Sequence, residues 1–283
     1  MAGIIDSNSS NRILNTINRN QNGVLTRLSQ IASGNRLVSA SVDAAGLAIS
    51  EGLRSDIAAL TQATRNIETG GNFIRVAEGG LATVSDLIGR GRELAIQAAN
   101  GTLGSAERET LNAEFSQILT EIDRIAGTQE FNGQPILNGN LAPNSPNQVD
   151  IQAGIGSGPE NQINLNVIEA TDTQTLGISG LDILNPQNAL QAFDRLGQAQ
   201  QTVINTRGEV GALSNRLEIT SRNTRNTLVN LESSRNEIAG TDIASSISDL
   251  NNQLLQIETS VRSLALQIRS NENNVGRLLN INT

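Results

Sequence analysis

The groups capable of chemistry in this chain are carboxylates and guanidinium groups, set among many hydroxyls and amides. Glu93 with Glu107 or Glu114 offers a pair of carboxylates for acid–base work. A glycine-rich run, Ala153-Gly154-Ile155-Gly156-Ser157-Gly158, has the outline of a phosphate loop. A phosphate loop feeds a helix, whereas Pro159 and an alternating strand pattern follow this one, so it reads as a flexible hairpin turn. Beyond these the inventory is empty. His, Cys, Trp and Tyr are absent, and all 20 basic residues are Arg, with no Lys. That removes the disulfide, the thiolate nucleophile, the imidazole base and the ordinary zinc site. It also removes the Schiff base and the phosphate-loop lysine. The net charge of −8 opposes nucleic acid, and no Trp or Tyr is present to stack on bases. The sequence therefore predicts no catalytic residue, no cofactor, no metal, no nucleic-acid partner and no enzyme activity.

Exposed acids on helices are common, and the positions of these acids depend on the elements around them. Apolar residues make up 37% of the 283-residue chain, so it can bury a core, though an aliphatic one. No run approaches the ~18 apolar residues of a membrane span. Residues 1–12 lack a basic segment followed by an apolar one, so no cleaved signal peptide is expected.

Helical periodicity dominates both ends. The first stripe is Leu14, Ile17, Gln21, Val24, Leu28, Ile31. A second begins after Ser41 or Asp43 as N-cap, runs from Ile49 to Ile67, and is expected to stop at Gly70-Gly71. A third runs from Ile74 to Ala98. A fourth starts at Ser105, with Gly127 as the residue beyond its end. The centre changes character: Asn132-Gly133 and Asn138-Gly139 are hairpin dipeptides, and Val149, Ile151, Ile163, Leu165 and Val167 alternate with polar neighbours. All 5 prolines fall in or at the edge of this stretch. Pro186, after Asn185, suits the first position of a long helix reaching about residue 238.

The last stripe is the most regular. Ile243, Ile247, Leu250, Leu254, Ile257, Val261, Leu264, Ile268, Asn271, Val275 and Leu278 step alternately by 4 and 3, and only Asn271 is polar. At ~1.5 Å per residue this seam is about 54 Å long. Such a seam needs a partner along its length, and the N-terminal stripe is one of similar period. Ordinary packing within one bundle is the competing reading of any single stripe. From Ser7 to Ser39 the ionisable side chains are Arg12, Arg19, Arg27 and Arg36, and Asp242, Asp249, Glu258 and Glu272 are the acids of the C-terminal segment. Rim pairs between them would set register more than stability, since exposed pairs contribute only ~0–1 kcal/mol.

Five segments carry a resemblance. They are Arg27-Leu28-Ser29-Gln30-Ile31-Ala32-Ser33-Gly34, Asp43-Ala44-Ala45-Gly46-Leu47-Ala48-Ile49-Ser50, the run from Arg90 to Thr102 (RGRELAIQAANGT), Glu121-Ile122-Asp123-Arg124-Ile125, and Gly211-Ala212-Leu213-Ser214-Asn215-Arg216-Leu217. Together they resemble bacterial flagellin over nearly the whole chain, as a short form with a small central region. The resemblance implies a mainly α fold, with long helices forming a terminal coiled coil and a rod-like bundle, and a small β-hairpin region in the middle. It implies five segments: residues 1–42 and 241–283 as inner-layer coiled-coil helices, 43–129 and 186–240 as rod helices, and 130–185 as the hairpin region. The implied function is a structural subunit that polymerises into the flagellar filament for swimming. The alternatives are a hook–filament junction protein of the same family and a non-polymerising coiled-coil scaffold.

The implied assembly residues are Leu14, Ile17, Val24, Leu28, Ile31, Ile243, Ile247, Leu250, Leu254, Ile257, Val261, Leu264 and Ile268. The implied partners are other copies of the chain or related flagellins, the flagellar type III export apparatus, an export chaperone and the filament cap. No membrane partner is implied. The location is extracellular, in the filament, reached without signal cleavage. A host receptor of the Toll-like class is also implied, through Arg90, Leu94 and Glu114, with axial contact between subunits as the plainer role of those three. Gly89 and Gly91 depart from the bulkier residues the family places beside that Arg, each costing ~1 kcal/mol of helix propensity against Ala.

Overall fold

The computed structural model describes the backbone of residues 2–280 and the side chains of residues 8–270, 272 and 273. The seam positions Asn271, Val275 and Leu278 lie outside the described side chains, as does Arg277. Five helices, α1 (Ala2–Ser33), α2 (Ala44–Ala98), α3 (Ser105–Thr128), α4 (Pro186–Ala239) and α5 (Ile243–Asn280), carry most of the described chain. Between α3 and α4 lie the short strands β1 (Glu130–Phe131), β2 (Gln134–Pro135), β3 (Asp150–Gln152) and β4 (Gln162–Asn164). They pair as two separate antiparallel ribbons, β1 with β2 and β3 with β4. The mainly α expectation, with small hairpins in the middle, is what the chain adopts.

Local chemistry explains where the helices start. The Asp43 carboxylate accepts from Gly46 N–H at 2.9 Å, so Asp43 is the N-cap of α2. Asn185 and Asp242 do the same for α4 and α5, accepting from Asn188 and Ser245 N–H at 2.8 and 3.1 Å. Pro186 sits at the first position of α4, where its missing N–H costs nothing. α1 ends at Ser33 because Gly34 takes a φ of +64°. α3 runs one residue past Gly127, to Thr128.

The expected break at Gly70-Gly71 does not occur: α2 is one continuous helix of 55 residues. Gly70, and Gly80 farther along the helix, serve packing. A Cβ on Gly70 would lie 3.1 Å from Ile151 Cγ1, and one on Gly80 would lie 2.7 Å from Leu137 Cδ1. The missing side chains admit the hairpin region onto the helix, and that contact offsets the ~1 kcal/mol propensity cost of each glycine.

The chain forms two compact units. The larger spans Asp56–Val229. Its core is aliphatic around Phe115, with Ile74, Leu81, Ile88, Leu94, Ile122, Ile136, Leu137, Leu165 and Ile168 fully buried. α2 and α4 run antiparallel within it. Arg207 of α4 pairs with Glu78 of α2 at 2.6 Å, Gln200 Nε2 donates to Ser85 at 2.7 Å, and the Arg92 guanidinium lies 4.6 Å over the Phe193 ring. Asn132 and Gly133 form the β1–β2 turn with φ of +51° and +76°, the mirror-image turn that suits the strand twist. Phe131 then meets Phe73 edge-on at 5.6 Å. Side-chain amides and carboxylates anchor the irregular connections: buried Asn166 accepts from Val149 N–H and donates to Ala142 and Asn147 carbonyls, and Asp123 accepts from the backbone and hydroxyl of buried Thr173.

The smaller unit comprises the residues up to Ser55 and those from Asn230 onward. It holds the α1–α5 pair and the junctions at the inner ends of those helices. Among the described residues, no helix is long and apolar enough to cross a membrane.

Candidate assembly surface

α1 and α5 pair along their length in opposite directions. Arg27, near the end of α1, bridges Asp249 near the start of α5 at 3.0 Å. Gly23 lies against the Gln253 amide, and Ile13 and Thr16 share a groove with Thr259 and Ser260 farther along α5. The Arg27–Asp249 pair is one of the rim contacts that the charge pattern predicts.

The buried and half-buried positions define the seam. On α1 they include the run Ser10, Ile13, Ile17, Asn20, Val24, Arg27 and Ile31, and on α5 the run Ser246, Leu250, Gln253, Ile257, Ser260, Leu264 and Gln267, with Thr16, Gly23 and Gln30 beside the first run and Asp249 beside the second. Both sets keep the 4,3 step, but the α5 set is not the apolar series read from the sequence. Leu250, Ile257 and Leu264 belong to both. The other seam position of α5 is filled by Ser and Gln.

Ile243, Ile247, Leu254, Val261 and Ile268 are instead 45–52% exposed, and on α1 Leu14 and Leu28 are 44% and 47% exposed. Of the expected assembly residues, then, Ile17, Val24, Ile31, Leu250, Ile257 and Leu264 pack within the chain. The other seven face outward. The reason is geometric. At 3.6 residues per turn, a step of three moves about 60° one way and a step of four about 40° the other. α1 covers the arc through 246, 250 and 253, and the line 247–254–261–268 falls beyond it. Gly23 lies in that arc, against the Gln253 amide. Sequence periodicity measures the width of an apolar stripe but not how much of it one partner covers.

A second group of expected residues lies where α2 faces α3. Arg90 Nε and Nη2 donate to Glu114 Oε1 at 2.9 and 2.8 Å, and Nη1 donates to Glu93 Oε2 at 3.0 Å. These bonds, Glu114 first and Glu93 second, hold the Arg90 guanidinium above its ordinary pKa. Glu93 and Glu114 are thus bound to one arginine, an arrangement for an ion-pair cluster and not for an acid and a base. Glu107 folds back over Gly104 at the start of α3.

Leu94 does not join Arg90 and Glu114 at the surface. It is 0% exposed within the core, on the buried line of α2 that Gly91, Ala95 and Ala98 continue. Gly91 also has a packing role: a Cβ there would lie 3.4 Å from Leu196 and 3.6 Å from Phe115, whereas one on Gly89 meets nothing within 4 Å. The glycine-rich run at 153–158 is the β3–β4 connection. Its backbone is occupied by neighbours, with Ala153 N–H donating to the Asn161 carbonyl at 2.8 Å and Gln152 Nε2 donating to Gly154 and Gly156 carbonyls.

Known proteins share this arrangement. Residues 4–142 match the bacterial flagellin N-terminal helical region, and residues 193–279 match the bacterial flagellin C-terminal helical region. A flagellar filament 30.7 kDa core protein of Treponema maltophilum is 35% identical over 98% of this chain and 99% of its own length. A flagellin of Halalkalibacterium halodurans is 36% identical over 77% of this chain and 78% of its own. Among solved structures, a Vibrio parahaemolyticus protein described as flagellar hook-associated has a similar fold, with a TM-score of 0.58, 16% identity, 70% of this chain and 100% of that chain covered. With both terminal regions matched in order and a relative aligned end to end, this chain belongs to the bacterial flagellin family.

Proposed function

We propose that the chain is a structural subunit that polymerises into a flagellar filament, and that the uncovered flank of the α1–α5 pair is where subunits join. The observation that carries this is the division of the apolar stripe. One line of α5 packs on α1, and the neighbouring line, Ile247, Leu254, Val261 and Ile268, stays half exposed. A monomer gains nothing from a second apolar line held in water, whereas a helical polymer buries it on every subunit. Relatives named as filament core proteins, aligned over 98% and 88% of the chain, favour this reading over a junction protein or a fixed small oligomer.

In this reading residues 1–42 and 241–283 form the inner layer, 43–129 and 186–240 the rod, and 130–185 the hairpin surface. The chain does no catalysis. It leaves the cell through the flagellar export apparatus, with an export chaperone and the filament cap as passing partners, and it functions outside the cell. Arg90 and Glu114 supply an axial contact between subunits. Receptor recognition of the Toll-like class would rest on those two exposed side chains, with Leu94 shaping the helix from beneath.

The test is seeded growth. Purified full-length chain mixed with filament fragments should elongate them under the electron microscope. A discrete oligomer that never adds to the seeds defeats the proposal.

A further inference from the structure

One of the segments that marked the family, Arg27 to Gly34, has a role that the exposed stripe does not explain. Gln30 lies in it and is only 3% exposed, although polar residues of this size are seldom buried without full partners. Both ends of its amide are engaged. Its Oε1 accepts from Arg27 Nη1 at 3.1 Å, and its Nε2 donates to the Arg36 carbonyl at 2.7 Å. Arg27 holds Asp249 of α5 at 3.0 Å. Arg36 turns the other way: its Nη2 donates to the Ile238 carbonyl and its N–H to the Ala239 carbonyl, each at 2.7 Å. These are last-turn carbonyls of α4, which no residue of α4 itself can satisfy. Thr241 N–H donates in return to the Gly34 carbonyl at 3.1 Å, and Asn35 and Gly240 form an antiparallel bridge. Gly240 is required here, since a Cβ would fall 2.4 Å from the Asn236 carbonyl.

The result is a continuous polar chain from Asp249 through Arg27, Gln30 and Arg36 to the end of α4. It joins segments 202 residues apart. It also sits where α1 and α5 begin to run side by side. A 4,3 seam repeats every seven residues, so it fits nearly as well after a slip of one heptad, about 10.5 Å along the axis. Apolar contacts do not distinguish those registers. A buried, directional network at one end does.

We propose that Gln30 is a specificity-determining residue for assembly: with Arg36 it clamps the ends of α1 and α4 together and so selects one register for the α1–α5 pair. This rests on the reading that the pair is the assembly unit, and the test separates the two.

The chain has no Cys, so an introduced pair reports on one contact alone. Gly23→Cys with Gln253→Cys marks the observed register. Gly23→Cys with Ser260→Cys marks a slip of one heptad. A disulfide needs Cβ atoms about 3.8 Å apart, so the two pairs do not cross-report. Each pair is placed in the full chain with Gln30 intact, with Gln30→Met and with Gln30→Glu, and oxidised with glutathione disulfide in seeded filaments and in soluble protein. Met removes both amide bonds at similar volume. Glu keeps the acceptor for Arg27 but cannot donate to Arg36. With Gln30 intact, only the 23–253 disulfide should form. Both variants should give the 23–260 disulfide as well and raise the critical concentration about tenfold. Arg36→Ala should do the same while leaving the Gln30 amide in place. If no variant yields the slipped disulfide, the register proposal is wrong, whatever happens to the critical concentration. If the intact chain forms the 23–253 disulfide but no filaments, the assembly reading fails instead.

Discussion

Replacing Leu254 and Val261 together by Ser separates polymer contacts from fold contacts. Leu254 is 47% exposed and Val261 50% exposed, so about half of each side chain is left to bury on assembly. Full burial of such a side chain contributes ~1.5–3 kcal/mol, and the remaining half about 1 kcal/mol each. The double variant should thus lose about 2 kcal/mol of contact per added subunit, which is roughly a thirtyfold rise in critical concentration. The half already covered within the chain contributes about as much to the fold, so the isolated chain should itself lose up to about 2 kcal/mol, while the critical concentration reports only the step from folded subunit to filament. The assay is sedimentation of seeded filaments at a series of total concentrations. Protein is read by peptide-bond absorbance, since the chain has no Trp or Tyr. Thermal unfolding of unseeded protein is followed by circular dichroism. An unchanged critical concentration would refute the reasoning.

Other consequences are sharper for being paired. Leu94→Ala should destabilise the larger unit by about 2–5 kcal/mol in chemical denaturation, because the side chain is 0% exposed; a shift near zero would return it to the surface. Gly79→Ala should stabilise α2 by about 0.5–1 kcal/mol, since a Cβ there meets nothing within 4 Å, while Gly80→Ala should destabilise it, since its Cβ meets Leu137 at 2.7 Å. Opposite signs at adjacent residues are the readout, and equal signs contradict the packing role of Gly80. Hydrogen bonds from Arg124 hold the Glu121 carboxyl below its ordinary value of 4.5. A depressed carboxylate stabilises above its unfolded pKa and loses that contribution as pH falls through the folded value. Glu121→Gln should therefore cost a small amount of stability at neutral pH and flatten the acid-side loss below about pH 4.5, so that urea denaturation curves of the two proteins converge in acid. Deleting residues 243–283 should abolish polymerisation while Asp56–Val229 still unfolds cooperatively, and filaments from the truncated chain contradict the inner-layer assignment.

The elements of this fold were largely legible because their signals are local. Asp43, Asn185 and Pro186 mark helix starts by side-chain chemistry alone, and Asn132-Gly133 makes its turn wherever it is placed. Tertiary effects were not legible. Gly70 and Gly80 look like interruptions in a sequence, and only the approach of Ile151 and Leu137 turns them into contacts. The same limit applies to the assembly residues. The stripe from Ile243 to Ile268 has the correct period, but its division into a covered and an uncovered line depends on where α1 lies, which Gly23, Gln253 and the Arg27–Asp249 pair determine. Arg90 and Glu114 were expected near each other and are hydrogen-bonded, yet Leu94 is buried, because it lies at the edge of α2 where the covered line through Gly91 and Ala95 begins. The Gln30 network escaped the sequence reading altogether. Its members lie 202 residues apart, and a lone Gln in a helix carries no signal of burial.

Assembly should bury the uncovered line of the α1–α5 pair between subunits. Electron cryomicroscopy of filaments grown from the purified chain tests it directly. The account predicts Leu14, Leu28, Ile247, Leu254, Val261 and Ile268 covered by helices of neighbouring subunits. A filament in which those side chains still face water would contradict it.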